Sequence, residues 1–238
     1  WQYQPPKDKP IKFEKPFKMK VTPLLPFITP KALPKRGISK ETCELYDYGY
    51  AEDKNQVVQV ATYHDKIGKP VAHLRYKDKR FGWVGDTSSM QLWGQKIWRQ
   101  NHGTETNIFA VITEGEVDCL TISQIQGNRF PVVSLPNGCQ SANKYIAANM
   151  EWLSQFSRIV ICFDSDEPGF NAAKKAVEIL PPGKAAICRL PRKDANEMLL
   201  AGEGEQLKDL LWKAIPARPD GIHNAYDLWE ELIKNLKV

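Results

Sequence analysis

Two stretches of the chain decide the fold: VITEGEVD at residues 111–118 and IVICFDSDEPG at residues 159–169. Each begins as an apolar run rich in β-branched residues and turns acidic where the run ends. Runs this short, bounded by turn and helix-start signals, are typical of strands buried on both faces of a parallel sheet. Ligands of open α/β sheets bind beyond the carboxyl ends of such strands. The sequence therefore predicts that carboxylates from two strands converge at one edge of a sheet.

The acidic residues at the ends of these runs are Glu114, Asp164 and Asp166. The two aspartates are two positions apart, so in an extended chain they project to the same side. Three carboxylates gathered in one place repel each other unless a cation lies among them. Oxygen ligands suit Mg²⁺ or Mn²⁺, which keep part of their water shell and bind substrate phosphates. We therefore expect a metal site here, although a solvated strand end is the simpler interpretation of each carboxylate taken singly.

Around these stretches the chain alternates strand and helix patterns. Strands are predicted at residues 109–113, 131–135, 159–163 and 185–190, and helices at 116–126, from Ser141 onward, and at 168–179. The helix after Ser141 carries an apolar stripe made of Tyr145, Ala148, Trp152, Leu153 and Phe156, which we interpret as core. The alternating order predicts an α/β fold with a parallel sheet and helices on both faces.

The part of the chain before this core has a different pattern. Ser39 is a suitable N-cap for a short helix. Residues 56–64 and 70–76 alternate as strands do, and the DKIG sequence between them predicts a hairpin. Trp93 and Trp98 are interpreted as packing residues, whereas the segment 93–107 receives no assignment. A small α+β unit is therefore predicted ahead of the parallel sheet.

Charge is distributed unevenly along the chain. Residues 1–40 contain ten Lys or Arg against two acidic residues, a net charge of +8, whereas the whole chain carries +5, so the remainder carries −3. Residues 1–30 are also rich in Pro and lack any sustained period, which indicates an extended linker or arm. A basic segment ahead of an acidic site favours a nucleic-acid partner, although a solvated tether is an equally good interpretation.

Cysteine and hydropathy patterns limit the class of protein. The five cysteines are widely spaced and contain no C-x-x-C pair, so we interpret them as reduced thiols of an intracellular protein. The four histidines are scattered, and no zinc site is expected within this chain. No apolar run approaches the length of a membrane span, so no membrane partner is expected.

The acidic motifs resemble those of a TOPRIM domain: Glu114-Gly115 follows one strand, and Asp164-x-Asp166 with Gly169 follows another. Further blocks resemble the primase half of the primase-helicases of T-odd bacteriophages, to which mitochondrial Twinkle is related. These blocks are RGISKETC at 36–43, TEGE at 113–116, PVVSL at 131–135 and KDANE at 193–197. The resemblance implies an α+β subdomain of the RNA polymerase domain at 31–106 and a TOPRIM core at 107–215. It also implies a linker and amphipathic helix at 216–238 leading toward a helicase domain outside this chain.

The same resemblance implies a metal-dependent DNA primase that joins ribonucleoside triphosphates into a short RNA primer on single-stranded DNA. Glu114, Asp164 and Asp166 would be the catalytic residues and would hold Mg²⁺ or Mn²⁺, with Asp194 as a fourth acidic group that also suits a helix N-cap. Asp118 is expected on the helix surface or behind the ligands. Further partners would be the helicase domain and neighbouring subunits of a full-length protein. Its location would be the host cytoplasm for a phage protein, or the organellar matrix for a Twinkle-like one. The family's zinc-binding module is not in this stretch, so recognition of the template sequence is expected to be poor.

Basic residues interleaved with aromatic residues at 75–83 suit binding of phosphates and stacking of bases, although an exposed antiparallel strand explains them too. The phage family uses a basic stretch here for nucleotide and template. That implies a nucleotide- and DNA-binding set comprising Arg75, Lys77, Lys79 and Arg80, together with Ser134, Asn137 and Gly138 in a loop able to present backbone N–H groups.

The chain departs from the family at two positions. It has His73 where the family tends to have another lysine, and Phe170 where many TOPRIM primases have a basic residue after the glycine. Lys174 or Lys175 is the candidate substitute for the second.

Two other classes of function stay open at this point. A Twinkle-like module without catalysis would bind DNA and support assembly, but the intact acidic residues argue against it. A haloacid-dehalogenase-type phosphatase would use the D-S-D motif, but the motif comes late in the chain and is followed by Glu167-Pro168. The chain has no G-x-x-x-x-G-K-[ST] phosphate loop, so hydrolysis of nucleotide by a helicase site is not expected.

Overall fold

Two β-sheets of different kinds account for the strands of the computed structural model, which describes residues 28–98 and 109–217. The strands are β1 (Tyr48–Asp53), β2 (Gln56–His64), β3 (Pro70–Arg75), β4 (Phe81–Val84), β5 (Phe109–Thr113), β6 (Val132–Ser134), β7 (Arg158–Cys162), β8 (Ala185–Ile187) and β9 (Ile215–Pro216). The helices are α1 (Lys40–Leu45), α2 (Glu116–Ile125), α3 (Ala142–Ala148), α4 (Met150–Leu153), α5 (Glu167–Ile179), α6 (Ala195–Leu200) and α7 (Gly204–Lys213), with 3₁₀ turns at Pro34–Arg36 and Cys139–Ser141.

The first sheet is an antiparallel meander in the order β1-β2-β3-β4. The predicted hairpin between β2 and β3 is confirmed, whereas β1 was not predicted as a strand. β4 begins in the stretch 75–83, for which an exposed antiparallel strand was the alternative interpretation. Alternation along the strands gives the sheet two different faces. One face packs a small apolar cluster of its own, and the other carries Tyr63, His73 and Trp83 toward the second sheet.

The second sheet has the order β6-β5-β7-β8-β9. The first four strands of this order are parallel, and the residues of β5 are all buried, as the continuous apolar run predicts. The edge strand β9 is antiparallel to β8, which corrects the prediction that Pro216 begins a linker. An edge position suits Pro216, because proline has no N–H to donate to a ladder.

The continuous helix predicted after Ser141 is divided into two short helices in the structure. The helix is interrupted at Asn149, whose side-chain amide donates a hydrogen bond to the Tyr145 carbonyl, 2.8 Å. As a result Ala148 is exposed and Phe156 lies beyond the end of α4. The Ser141 hydroxyl donates to the Gly138 carbonyl instead of capping the helix, 3.1 Å.

A buried tryptophan joins the two sheets. Trp93 is 1% exposed and forms an isolated antiparallel bridge with Ser134 at the edge of the parallel sheet. The Tyr46 ring packs against it at 5.1 Å between centroids, and the Tyr46 hydroxyl donates to the Val132 carbonyl, 2.9 Å. Gly94 has φ +84°, and a Cβ there would lie 2.7 Å from the Tyr46 ring, so no side chain fits. Trp93 and Trp98 are both buried, as predicted for packing residues.

Several predictions fall outside the described residues: nearly all of the basic arm, the segment 99–107 and the amphipathic helix at 224–236. Within the residues that are described, no helix combines the length and the hydropathy that a membrane crossing requires. All five cysteines are free thiols.

Candidate active site

Glu114 and Asp164 lie beyond the carboxyl ends of β5 and β7, where the sequence predicts that carboxylates converge. These strands are adjacent and parallel, with Thr113 opposite Cys162, so Glu114 and Asp164 leave the sheet side by side. Burial and then the negative charges of Glu114 and Asp194 raise the pKa of Asp164 from 3.8 to about 6. Burial and neighbouring negative charge both disfavour the ionised form, so the raised pKa fits carboxylates that share this buried edge of the sheet.

The chain after β8 brings the next carboxylate to the same edge. The backbone N–H of Ser165 donates to the Lys193 carbonyl, 2.7 Å, and the Ser165 hydroxyl donates to the Leu190 carbonyl, 2.8 Å. These two bonds tie the end of β7 to the segment that carries Asp194. Asp194 is also the N-cap of α6, because its carboxylate accepts the Glu197 N–H at 2.8 Å.

Asp166 has a local hydrogen bond of the same type. It is exposed, and it caps α5 by accepting the Gly169 N–H at 2.8 Å. A Cβ on Gly169 would lie 2.3 Å from the Asp164 carbonyl oxygen, so only glycine allows this helix to begin so close to the strand end. We call the edge of the sheet that carries Glu114, Asp164, Asp166 and Asp194 the acidic edge. The N-termini of α5 and α6 both begin at this edge, where their partial positive charge favours anions.

Asp118 also belongs to this cluster, whereas it was expected on the helix surface or behind the ligands. Burial, followed by the charges of Asp194 and Asp164, raises its pKa from 3.8 to about 7. Its carboxylate accepts one hydrogen bond, from the backbone N–H of Asn196 at 3.2 Å. Asp118 lies in the first turn of α2, and helical side chains point back toward the N-terminus, which here is the strand end that carries Glu114. That direction is the signal that could have identified it.

The donor set fits a hard divalent cation. Carboxylate oxygens at one edge are ligands that Mg²⁺ and Mn²⁺ accept, and Glu114 Oε2 is buried without a hydrogen-bond partner. A buried acceptor without a partner carries a desolvation cost that a cation would relieve. Within residues 28–98 and 109–217, however, no three carboxylate, imidazole or thiol groups converge closely enough to enclose a metal ion.

A cavity of about 470 Å³ lies in front of the acidic edge. Glu114, Asp118 and Asp164 line one side of it, and the loop from Leu135 to Gly138 lines another. The remaining side consists of three ring-bearing residues of the antiparallel sheet, His73, Phe81 and Trp83. The cavity volume is within the range of small-molecule sites.

The loop residues chosen from the sequence have different surroundings. Gly138 has φ +67°, and a Cβ there would lie 3.4 Å from Glu114 Oε1, so the backbone passes close to the acidic edge. Asn137 lines the cavity and its amide donates to the Tyr145 hydroxyl, 2.9 Å. Ser134 is fully buried, and its hydroxyl donates to the Leu135 carbonyl, 3.3 Å. The structure therefore brings Asn137 and Gly138, but not the Ser134 side chain, to the cavity.

The four basic candidates lie around the β3–β4 turn rather than in the cavity wall. Lys77 and Lys79 are exposed in the turn. Arg75 is partly buried with its guanidinium 5.7 Å from the centre of the Phe81 ring, which connects it to the cavity mouth. Arg80 forms an ion pair with Asp78 at 2.6 Å and covers the Tyr76 ring.

A hydrogen-bonded group in the cavity lining was not foreseen from the sequence. His73 Nδ1 and Glu116 Oε1 are 2.6 Å apart, and the Tyr63 hydroxyl donates to the same Glu116 oxygen at 2.7 Å. Burial raises the pKa of Glu116, but the hydrogen bond and charge of His73 and the Tyr63 hydrogen bond outweigh it, so the pKa is lowered. The histidine that replaces a family lysine is thus held by a carboxylate.

Two cations flank the ring that follows Gly169. Lys174 Nζ is 4.4 Å and the Arg189 guanidinium 4.3 Å from the centre of the Phe170 ring. Phe170 and Arg189 line a second cavity, of about 250 Å³, together with Asp164. Lys174, the candidate substitute for the missing basic residue, therefore packs on the Phe170 ring beside this second cavity.

Comparison with known proteins defines the class. A parallel sheet with Glu-Gly and Asp-x-Asp at adjacent strand ends is a Toprim-like arrangement, and residues 111–199 match the family described as Toprim-like. Residues 29–85 match the family described as bacteriophage T7 DNA helicase/primase, N-terminal α+β fold. The chain belongs to the primase portion of the T7-type helicase/primase family, which the resemblance of its motifs implied.

Individual relatives agree with this membership. The DNA helicase/primase of enterobacteria phage T3 is 41% identical over 197 residues, which are 82% of this chain and 34% of the phage protein. The crystal structure of the primase fragment of the bacteriophage T7 primase-helicase is 39% identical with a TM-score of 0.70, covering 77% of this chain and 75% of the fragment.

A further solved structure shows T7 primase domains bound to an RNA/DNA hybrid and dTTP and interacting with the T7 lagging-strand DNA polymerase. It is 39% identical with a TM-score of 0.71, covering 79% of this chain and 94% of that one. The chain spans about a third of the length of the curated relatives it matches. Membership in this family leaves the phosphatase interpretation of the D-S-D motif without support.

Proposed function

We propose that the chain is the RNA-polymerase portion of a DNA primase, which makes short RNA primers on single-stranded DNA. The observation that carries this proposal is the meeting of Glu114 and Asp164 at adjacent strand ends, with a buried unpartnered oxygen on Glu114, in front of a nucleotide-sized cavity. Family membership gives the reaction class: the primer 3′-oxygen bonds to the α-phosphorus of a ribonucleoside triphosphate. Pyrophosphate leaves, and the hydroxyl proton passes to water.

The carboxylates at the acidic edge would hold Mg²⁺ or Mn²⁺: Glu114, Asp164 and Asp166, with Asp194 alongside. When bound, the ion would neutralise these carboxylates and stabilise negative charge that develops on the phosphates. The pKa of about 6 for Asp164 supports this role, because a carboxylate repelled by its neighbours gains most from a nearby cation.

Other residues of the cavity would orient the substrates. The loop at Asn137 and Gly138 approaches Glu114 closely and can offer backbone N–H groups to a phosphate. Arg75 at the cavity mouth, and Lys77 and Lys79 in the exposed turn, would attract the triphosphate and the template backbone. Arg80 contributes less, since Asp78 already neutralises it.

The partners we propose are single-stranded DNA, ribonucleoside triphosphates and a short RNA primer. In a full-length protein, a helicase domain and neighbouring subunits would join them. Similarity to proteins of phages T3 and T7 favours action in the cytoplasm of a phage-infected cell over an organellar location. Domain limits at residues 30 and 106 are part of the same proposal.

Primer extension tests the proposal. A short oligoribonucleotide annealed to single-stranded DNA is offered with labelled ribonucleotides and Mg²⁺ to the wild type and to Asp164→Ala. We expect template-dependent extension by the wild type and none by the variant. An annealed primer removes the need for template-sequence recognition, so the result does not depend on a zinc-binding module.

Two controls make the outcome decisive. Salt-sensitive binding of single-stranded DNA by Asp164→Ala, equal to that of the wild type, shows that the variant is folded and retains its nucleic-acid surface. Absence of extension by the wild type, with DNA binding intact, would contradict the primase proposal and favour a module that binds DNA without catalysis.

A further inference from the structure

Three stacked rings line the same cavity as the carboxylates; we call Phe81, His73 and Trp83 the ring wall. The His73 ring is 4.2 Å from the Trp83 ring with 15° between their planes, and 5.3 Å from the Phe81 ring with 19° between planes. The antiparallel register explains this order, because His73 lies opposite Trp83, and Phe81 lies two residues before Trp83 on the same face. Because His73 lies between the other two rings, the free ring face of the stack is that of Phe81, the exposed ring at its end.

The ring wall is held in position without a ligand. His73 is hydrogen-bonded to Glu116, and Trp83 packs edge-on against the Tyr63 ring at 5.0 Å between centroids. Tyr63 is fully buried and donates to Glu116. Each supporting group is fixed by another, so binding a planar ligand on the wall would not require these rings to be ordered first.

Phe81 is the exposed end of this stack. It is 56% exposed although it is a large aromatic side chain, and it lines the cavity shared with Glu114 and Asp164. An exposed aromatic ring beside a polar cavity leaves apolar surface in water, which a stacked ligand would cover. The Arg75 guanidinium at 5.7 Å from the ring adds a cation at the same mouth.

We infer that the ring wall is the stacking surface for the base of the ribonucleoside triphosphate, whose phosphates extend toward the acidic edge. The inference rests on the proposed primase function. The ring faces offer no hydrogen-bond pattern for a base edge, so the wall tolerates all four bases, as stacking platforms generally do.

Equilibrium binding of two probes tests the inference. ATP with Mg²⁺ carries a base, and inorganic tripolyphosphate with Mg²⁺ carries only the phosphates. Removal of the exposed ring by Phe81→Ala should weaken ATP binding about tenfold, since base–aromatic stacking is lost. Phe81→Tyr keeps the ring and should bind ATP within about twofold of the wild type. Tripolyphosphate should bind all variants alike.

Val57→Ala is the matched control. Val57 is 54% exposed on the same antiparallel sheet but does not line the cavity, so its truncation removes similar exposed apolar surface without touching the wall. It should leave both probes unaffected. An equal weakening of ATP and tripolyphosphate by Phe81→Ala would overturn the inference, because the ring would then act through the phosphate site or the fold.

A third probe separates nucleotide from template. Weaker binding of single-stranded oligodeoxyribonucleotide to Phe81→Ala, with ATP binding unchanged, would also overturn the inference and assign the wall to a template base. Failure of the primase proposal is distinguishable from both results: the wild type would then bind ATP in a Phe81-dependent way and yet extend no primer.

Discussion

The acidic edge and the ring wall differ in how they affect the stability of the free protein. On the acidic edge, burial and then the charges of neighbouring carboxylates raise the pKa of Asp118 and of Asp164, and Glu114 Oε2 is buried without a hydrogen-bond partner. On the ring wall, every supporting group has a partner: His73 with Glu116, and Trp83 with Tyr63. The acidic edge is thus costly to the free protein and gains from a ligand, whereas the ring wall stabilises the protein whether or not a ligand is present.

This difference separates residues that serve activity from residues that stabilise the fold. Removing a charge from the acidic edge should destroy catalysis while leaving the fold as stable or more so, because the repulsion disappears with the charge. Removing a ring or a hydroxyl from the supporting side should cost stability first. The predictions below test this contrast from its largest expected effect to its smallest.

Glu114→Gln should abolish primer extension, with a loss of about a thousandfold or more, since the buried oxygen that would face the ion loses its charge. The free energy of unfolding should not fall, because glutamine keeps the shape and the repulsion from Asp164 ends. Steady-state extension and urea unfolding measure the two effects. Glu167→Gln, an exposed acid in the first turn of α5, is the matched control and should retain extension. Equal losses in both variants would contradict the site.

Trp93→Ala should lower the free energy of unfolding by about 3–5 kcal/mol, because it leaves a cavity at the junction of the two sheets. Trp93 is 1% exposed and contacts both the Tyr46 ring and the β6 edge. Urea unfolding monitored by circular dichroism measures the change. Val57→Ala, an exposed truncation, should stay within about 0.5 kcal/mol. A small loss for Trp93→Ala would mean that the two sheets do not depend on one core.

Asp118→Asn should raise the free energy of unfolding by about 1–3 kcal/mol at pH 8 in metal-free buffer. The Asp118 pKa is about 7 in the folded protein against 3.8 as its ordinary value, so the folded state holds a proton that the unfolded state has lost. Stability of the wild type therefore falls as pH rises from about 4 to about 7. The Asn196 hydrogen bond survives, since asparagine keeps the accepting oxygen.

A pH series of unfolding experiments checks this sign. The stabilisation by Asp118→Asn should be full at pH 8 and should vanish near pH 4, where the wild-type carboxyl is protonated in both states. A stabilisation that did not change with pH would show that ionisation of Asp118 is not its cause.

Tyr63→Phe should give the smallest effect, a loss of about 1 kcal/mol, as expected for one buried hydrogen bond whose acceptor keeps another partner. The hydroxyl donates to Glu116 at 2.7 Å, and His73 would remain on that carboxylate. Thermal unfolding at pH 7 measures the loss. Tyr76→Phe serves as the comparison, because the Tyr76 hydroxyl donates a hydrogen bond to Asp53 outside this group. A rise in stability would contradict the view that this side of the cavity stabilises the fold.

The same contrast explains what the sequence could predict. Glu114, Asp164 and Asp166 are identifiable because each follows its strand directly, so the strand pattern and the motif are read from adjacent residues. The parallel order also follows from alternation of strands and helices. β8, α2 and α5 were placed correctly, with errors of at most three residues at their ends.

The remaining features depend on distant parts of the chain. The ring wall requires the register of β3 with β4, and β4 is a four-residue strand that the alternating pattern does not reveal. β9 exists because β8 has an open edge, not because its own two residues favour a strand. The break at Asn149 reflects a side-chain hydrogen bond to Tyr145 that competes with the helix, and its spacing alone still favours a continuous helix.

The most direct test of the account combines activity and stability in one variant, Asp164→Asn, compared with the wild type. Primer extension is measured with Mg²⁺, and thermal unfolding is measured at pH 8 without it. The account predicts that extension is lost by about a thousandfold or more while the unfolding temperature stays the same or rises. Retained extension, or a loss of extension accompanied by a clearly lower unfolding temperature, would contradict the claim that the acidic edge is a catalytic centre maintained against the stability of the fold.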